Sequence, residues 1–72
     1  MRWQTLAQRI GVKVRDRRKN KGLSQDKASE MAKNLSLRYW QYIEKGERNL
    51  TLDTLVKIAK SLEVDPEDLL RR

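Results

Sequence analysis

The chain has no cysteine and no histidine among its 72 residues. Disulfides are thereby excluded, and the commonest metal ligands are missing as well. No Gly-rich phosphate loop is present and no carboxylates gather on a shared helical face, so neither an enzyme nor a cofactor or small-molecule site is expected. The sequence holds one proline and three glycines, and its β-branched residues do not alternate with polar ones. Strands are therefore not expected anywhere. No apolar run approaches the roughly 20 residues of a membrane span, and the opening MRWQTLAQRI lacks the continuous apolar stretch of a secretory signal. A cytoplasmic protein that keeps away from membranes is the expectation.

What is present is positive charge. Seventeen Lys and Arg against ten Asp and Glu give a formal net charge of +7, which suits an anionic partner, nucleic acid being the usual one. At this length only one small domain fits, spanning 1–72.

The chain reads as helices, and the expected fold class is all-α, a compact bundle of five short helices. Leu6, Ala7, Ile10 and Val14 form a stripe at helical spacing from about Gln4 to Lys21, stopped by Gly22. Along the same line the stripe continues with Arg17 and Lys21, with Arg18 beside it, as if long stems covered the core edge and carried charge toward the partner. Ser24 can cap a second helix from Gln25 to about Lys33, whose apolar residues are Ala28, Met31 and Ala32. Ser36 opens a third, closed by Gly46. Thr51 caps LDTLVKIAKSLEV, where Leu52, Leu55, Val56, Ile58, Ala59 and Leu62 form a broad apolar stripe. Asp65-Pro66 starts a last turn or two through Leu70, with proline at the first helical position where its missing N–H costs nothing.

The third helix, about 36–45, divides into two arcs at 100° per residue. Ser36, Tyr39, Trp40, Ile43 and Glu44 lie on one, and Leu37, Arg38, Gln41, Tyr42 and Lys45 on the other. Trp40 and Ile43 read as core. Tyr39 lies at the edge of it with its phenol available to a phosphate, and Tyr42 faces out.

Two short helices joined by a brief polar turn, the second with a donor-rich outer face, describe a helix-turn-helix made of helices 2 and 3. The run GLSQDKASEMAKNLSLRYWQYIEKGERNLTLDTLVKIAKSLEVDPEDLL resembles the lambda-repressor-like (XRE) family of DNA-binding domains, the match covering Ile10 to Leu70. Its marks are Gly22-Leu23-Ser24-Gln25 entering the second helix and Ile43-Glu44-Lys45-Gly46 closing the third. Leu52-Asp53-Thr54-Leu55 through Ile58-Ala59 completes the set in the fourth.

A major groove about 12 Å wide admits one helix, and the residues facing out near its N-terminal end meet base edges. Those are Leu37, Arg38, Gln41 and Tyr42. Arg38 suits guanine O6 and N7, Gln41 adenine N6 and N7, and Leu37 a thymine methyl; Tyr42 reaches either a base or a phosphate. The resemblance implies further roles. It places Gln25 on a phosphate, bracing the recognition helix, and Lys45, Arg48 and Asn49 on the duplex backbone. It also pairs Arg18 with Glu44, locking the first helix to the third and aiming the guanidinium at a phosphate.

The chain departs from the family pattern in two places. The turn is one residue longer than usual, with Lys33-Asn34 where a glycine commonly stands, and Asn34 is the residue expected to accept a left-handed conformation. Ala28 and Trp40 replace a leucine and a medium aliphatic residue, changes opposite in volume that together would keep the core close-packed.

The resulting expectation is a sequence-specific, nucleoid-associated regulator of transcription, acting on double-stranded DNA as a homodimer at a palindromic operator. Restriction–modification controllers, phage repressors and antitoxins are all compatible with it. Val64, Leu69 and Leu70 of the last helix offer a patch for self-association, or else close the bundle. The alternative is a protein-interaction module or antitoxin-type partner that keeps the fold and binds DNA without specificity.

Overall fold

In the computed structural model, which describes residues 2–33 and 35–71, five helices succeed one another: α1 (Trp3–Asn20), α2 (Gln25–Met31), α3 (Leu37–Lys45), α4 (Leu52–Leu62) and α5 (Pro66–Leu70). Three of them begin at a hydroxyl that accepts an otherwise unpartnered backbone N–H. Ser24 takes that of Lys27 at 3.0 Å, Ser36 that of Tyr39 at 3.0 Å, and Thr51 that of Thr54 at 3.1 Å. Pro66 opens α5. None of these helices is long and apolar enough to cross a membrane.

The core is a single cluster whose largest wholly buried members are Trp40, Ile43, Ile58, Leu62, Leu69 and Val14. Ala28 and Trp40 are both fully buried members of this cluster. Three leucines from connections, Leu23, Leu35 and Leu50, pack against the same cluster.

Several expectations about faces need correction. Met31 is 46% exposed, because α2 ends there and Ala32, not Met31, turns inward. Leu52 is 77% exposed and Val56 39%, so only Leu55, Ile58, Ala59 and Leu62 of the broad α4 stripe are core. The bundle covers only part of that stripe; Leu52 instead lines an open groove with Trp3, Leu6 and Leu70. Leu69 is wholly buried and Val64 packs on the core, which removes Leu69 from any surface patch; of the three residues expected there only Leu70 is exposed. Among the described residues of the helix-turn-helix turn, Lys33 is left-handed, with φ +62°; the expectation for Asn34 falls outside the described residues. Lys21 does not extend toward a partner but pairs with Glu63, the left-handed residue that ends α4.

The crossing of α1 over α3 is closer than any side chain would permit. A β-carbon on Gly11 would sit 2.5 Å from the Ile43 carbonyl oxygen and 2.7 Å from that of Glu44. At the end of α3, Gly46 adopts φ +73°, and a β-carbon there would lie 2.7 Å from the Gln8 Cα. On an open helix alanine would be favoured over glycine by about 1 kcal/mol. Here the opposing atoms are backbone and cannot swing aside, and overpacking of this kind costs about 1 to 3 kcal/mol. Gly11→Ala is therefore expected to lower the melting temperature despite its better helix propensity; an unchanged or raised value would mean the two helices separate readily.

Candidate nucleic-acid interface

On α3, Leu37, Arg38 and Lys45 are exposed and Gln41 and Tyr42 are half-buried, whereas Trp40 and Ile43 on the opposite side are fully buried. The helix thus presents a mixed donor and apolar ridge to solvent and its indole to the core. Tyr39 is half-buried and packs against the core cluster. Arg48, from the loop after α3, lies over the Tyr42 ring with 4.8 Å from its guanidinium carbon to the ring centre, within the range of a cation–π attraction.

Beside the ridge, where α1, α2 and α3 meet, is a cleft of about 460 Å³ lined by Arg15, Arg18, Gln25, Gln41, Glu44 and Lys45. Arg18, Gln25, Gln41 and Glu44, expected from sequence as site residues on three different helices, are brought together here, as is Lys45; Arg15 was missed. Its only signal was its place one turn before Arg18 on α1. Asn49 is elsewhere, lining an apolar groove with Trp3, Leu6 and Leu52.

The floor of the cleft is organised by one carboxylate. Glu44 Oε2 accepts from Arg18 Nε at 2.6 Å and from the Trp40 indole at 2.6 Å. Its Oε1 accepts from Arg18 Nη2 at 3.1 Å and from Gln25 Nε2 at 2.9 Å. The Glu44 side chain is only 4% exposed. Burial pushes its carboxyl up, but hydrogen bonds from Arg18, Gln25 and Trp40, together with the Arg18 charge, outweigh burial and hold its pKa below the ordinary 4.5.

Arg18 donates a further N–H to the Leu23 carbonyl at 2.9 Å and is 9% exposed. The guanidinium expected to point at a phosphate is engaged within the fold, tying α1 to α3 and to the entry of α2. Gln25 continues the network outward: its Oε1 accepts from Gln41 Nε2 at 3.4 Å. No group of three or more His, Cys, Asp or Glu among the described residues could hold a metal ion. The arrangement is chemically a set of donors on the outward side of a braced helix, suited to binding.

Comparisons with known proteins agree with this geometry. A family described as helix-turn-helix matches residues 14–69. The control protein C.BamHI of Bacillus amyloliquefaciens is 44% identical over 62 residues, 85% of this chain and 75% of that protein. The restriction-modification controller protein C.AhdI from Aeromonas hydrophila superposes with a TM-score of 0.83 at 32% identity, covering 88% of this chain and 94% of the other. An HTH_3 family transcriptional regulator from Vibrio cholerae gives 0.87 at 29% identity, over 94% of this chain and 38% of that one. With its five helices, its capped turn and these similarities, the chain belongs to the XRE-type helix-turn-helix family of DNA-binding transcription regulators.

Proposed function

We propose that this regulator inserts α3 into the major groove of duplex DNA and reads bases with Leu37, Arg38, Gln41 and Tyr42. Gln25, Tyr39, Lys45 and Arg48 meet phosphates, which fix register and affinity without carrying sequence information; Asn49, in the apolar groove, is left out of this set. Arg18 adds positive charge from behind the cleft and holds α3 in place through Glu44. The observation that carries this reading is the division of α3, with Leu37, Arg38 and Lys45 exposed and Trp40 and Ile43 wholly buried.

The protein acts as a symmetric dimer on a palindrome whose half-sites lie about 34 Å apart. Leu70, at the end of α5, lines one groove with Trp3, Leu6 and Leu52, and this exposed apolar surface is the face through which two copies meet. It keeps the C-terminal helix in the interface while replacing the buried Leu69. Like the controller proteins it resembles, the chain is assigned to control of a restriction–modification system.

Selection from a random duplex pool, with titration of the enriched sequence at several salt concentrations, tests the reading. A palindrome should be enriched, and log K should fall against log salt with a slope of about −0.9 per phosphate contact. Arg38→Ala should cost roughly 1 to 3 kcal/mol at one base position and leave the others unchanged. A pool without enrichment would instead fit a protein-interaction module.

A further inference from the structure

We infer that a shallow groove between the outer side of α1 and Arg71 docks an acidic segment of a partner protein, presenting an apolar side chain flanked by carboxylates.

The groove holds about 340 Å³ and is lined by Thr5, Gln8, Arg9, Val12, Lys13 and Arg71. Thr5, Arg9 and Lys13 recur at helical spacing on α1 with Gln8 and Val12 beside them, so one side of a single helix supplies most of the wall. That wall is mostly carbon. Val12, 58% exposed, contributes its methyl groups, and the stems of the long cationic side chains extend the apolar surface while their heads stay in water. A lone valine on a surface requires no explanation. Here it shares a concavity with three cations, Arg9, Lys13 and Arg71.

Those charges suit a ligand of opposite sign. None of the residues lining the groove is acidic. Lys13 Nζ donates to the Asp68 main-chain carbonyl at 3.2 Å, a bond that leaves its charge uncancelled, and Arg71 Nη1 lies 3.6 Å from the Asp68 carboxylate in an exposed pair of little worth. Arg9 adds a separate observation. Its Nε is enclosed and has no acceptor among the described residues, and a buried N–H in that condition is costly. A carboxylate brought into the groove supplies an acceptor, and a guanidinium holds one by two parallel bonds. Carbon walls offer nothing to a phosphate, which disfavours nucleic acid as the occupant. A second copy placed groove to groove would set three cations against three, and like charges across an interface repel.

The groove shares no lining residue with the Glu44 cleft or with the apolar groove of Trp3, Leu6, Leu52 and Leu70. A partner held here therefore competes neither with DNA on α3 nor with a copy at the other groove.

The probe is a peptide of about 15 residues, long enough to form a helix, with leucines on one face and glutamates on the other. A twin carries lysines in place of the glutamates. Each is titrated into the full chain, free and bound to random-sequence duplex, while backbone amide resonances are followed. The acidic peptide should shift Thr5, Gln8, Val12 and Lys13 in both states and leave Arg38 and Gln41 unmoved; the lysine twin should shift none of them. Val12→Glu, at an exposed position, should abolish those shifts without lowering the melting temperature. Arg9→Met should weaken the peptide at least about tenfold, as truncating one partner of a charged pair does. It should melt no lower than wild type, because the N–H it removes has no partner in the fold.

Shifts centred on α3, equal binding of the lysine twin, indifference to Val12→Glu, or displacement of the peptide by duplex would each overturn the inference. So would sedimentation in which Val12→Glu dissociates a wild-type dimer, since the groove would then belong to a second copy.

Discussion

Trp40→Ala should lower the unfolding free energy by about 3 to 5 kcal/mol, the range for truncating a large buried aromatic residue. Trp40 is enclosed by its neighbours and has no surface open to water, and a domain this small is expected to hold only about that much net stability. The variant should therefore be largely unfolded at room temperature, as monitored by far-ultraviolet circular dichroism during urea denaturation. Two losses combine in it. The ring leaves a cavity in the buried cluster it occupies. The indole N–H also leaves Glu44, to which it donates at 2.6 Å. Trp40→Phe separates the two, since it keeps much of the volume and loses the donor; its cost should be clearly smaller. A mild effect of the alanine variant would place the indole at the surface and overturn the two-sided reading of α3.

Arg18→Met should cost about 3 kcal/mol, the lower end of the range for removing one partner of a buried ion pair. The low end is chosen because Glu44 retains donors from Gln25 and Trp40. The loss should also weaken DNA binding, since the side-chain tie between α1 and the Glu44 end of α3 would be gone along with a positive charge beside the cleft. Acid provides an independent check with a definite sign. The folded-state pKa of Glu44 is depressed, so its contribution to stability is fully present above the unfolded value of 4.5 and is lost as pH falls through the folded value. In Arg18→Met the buried carboxyl loses its charge partner and is relieved by protonation. The stability gap between wild type and variant should thus narrow as pH falls below about 4.5. A gap constant with pH would mean that the methionine acts only through packing.

How far these features were legible in the sequence depends on whether their cause is local. The starts of α2, α3 and α4 could be read from Ser24, Ser36 and Thr51, because a cap bonds within its own first turn. The end of α3 could be read from Gly46 for the same reason. The two sides of α3 were also legible, since helical geometry alone separates Trp40 and Ile43 from Arg38 and Lys45. The width of the buried face of α4 was not. A helical wheel shows which residues share a side but not how deep the receiving groove is, so Leu52 was assigned to the core.

Long-range geometry accounts for the rest. The Arg18–Glu44 pair was suggested by family resemblance, yet the convergence of Trp40 and Gln25 on the same carboxylate, and the extension to Gln41, depend on how three helices meet. Gly11 carried a signal that went unused. A glycine inside a good helix is destabilising enough to require a reason, and the reason is the backbone of α3 pressed against it.

Where α1 crosses α3, the two main chains touch without an intervening layer of side chains. Such a joint leaves α3 little room to slide on α1, so its position is held by main-chain contact rather than by its outward side chains. On the proposed reading, retargeting to a new operator should therefore begin with those outward side chains and leave this joint as it is.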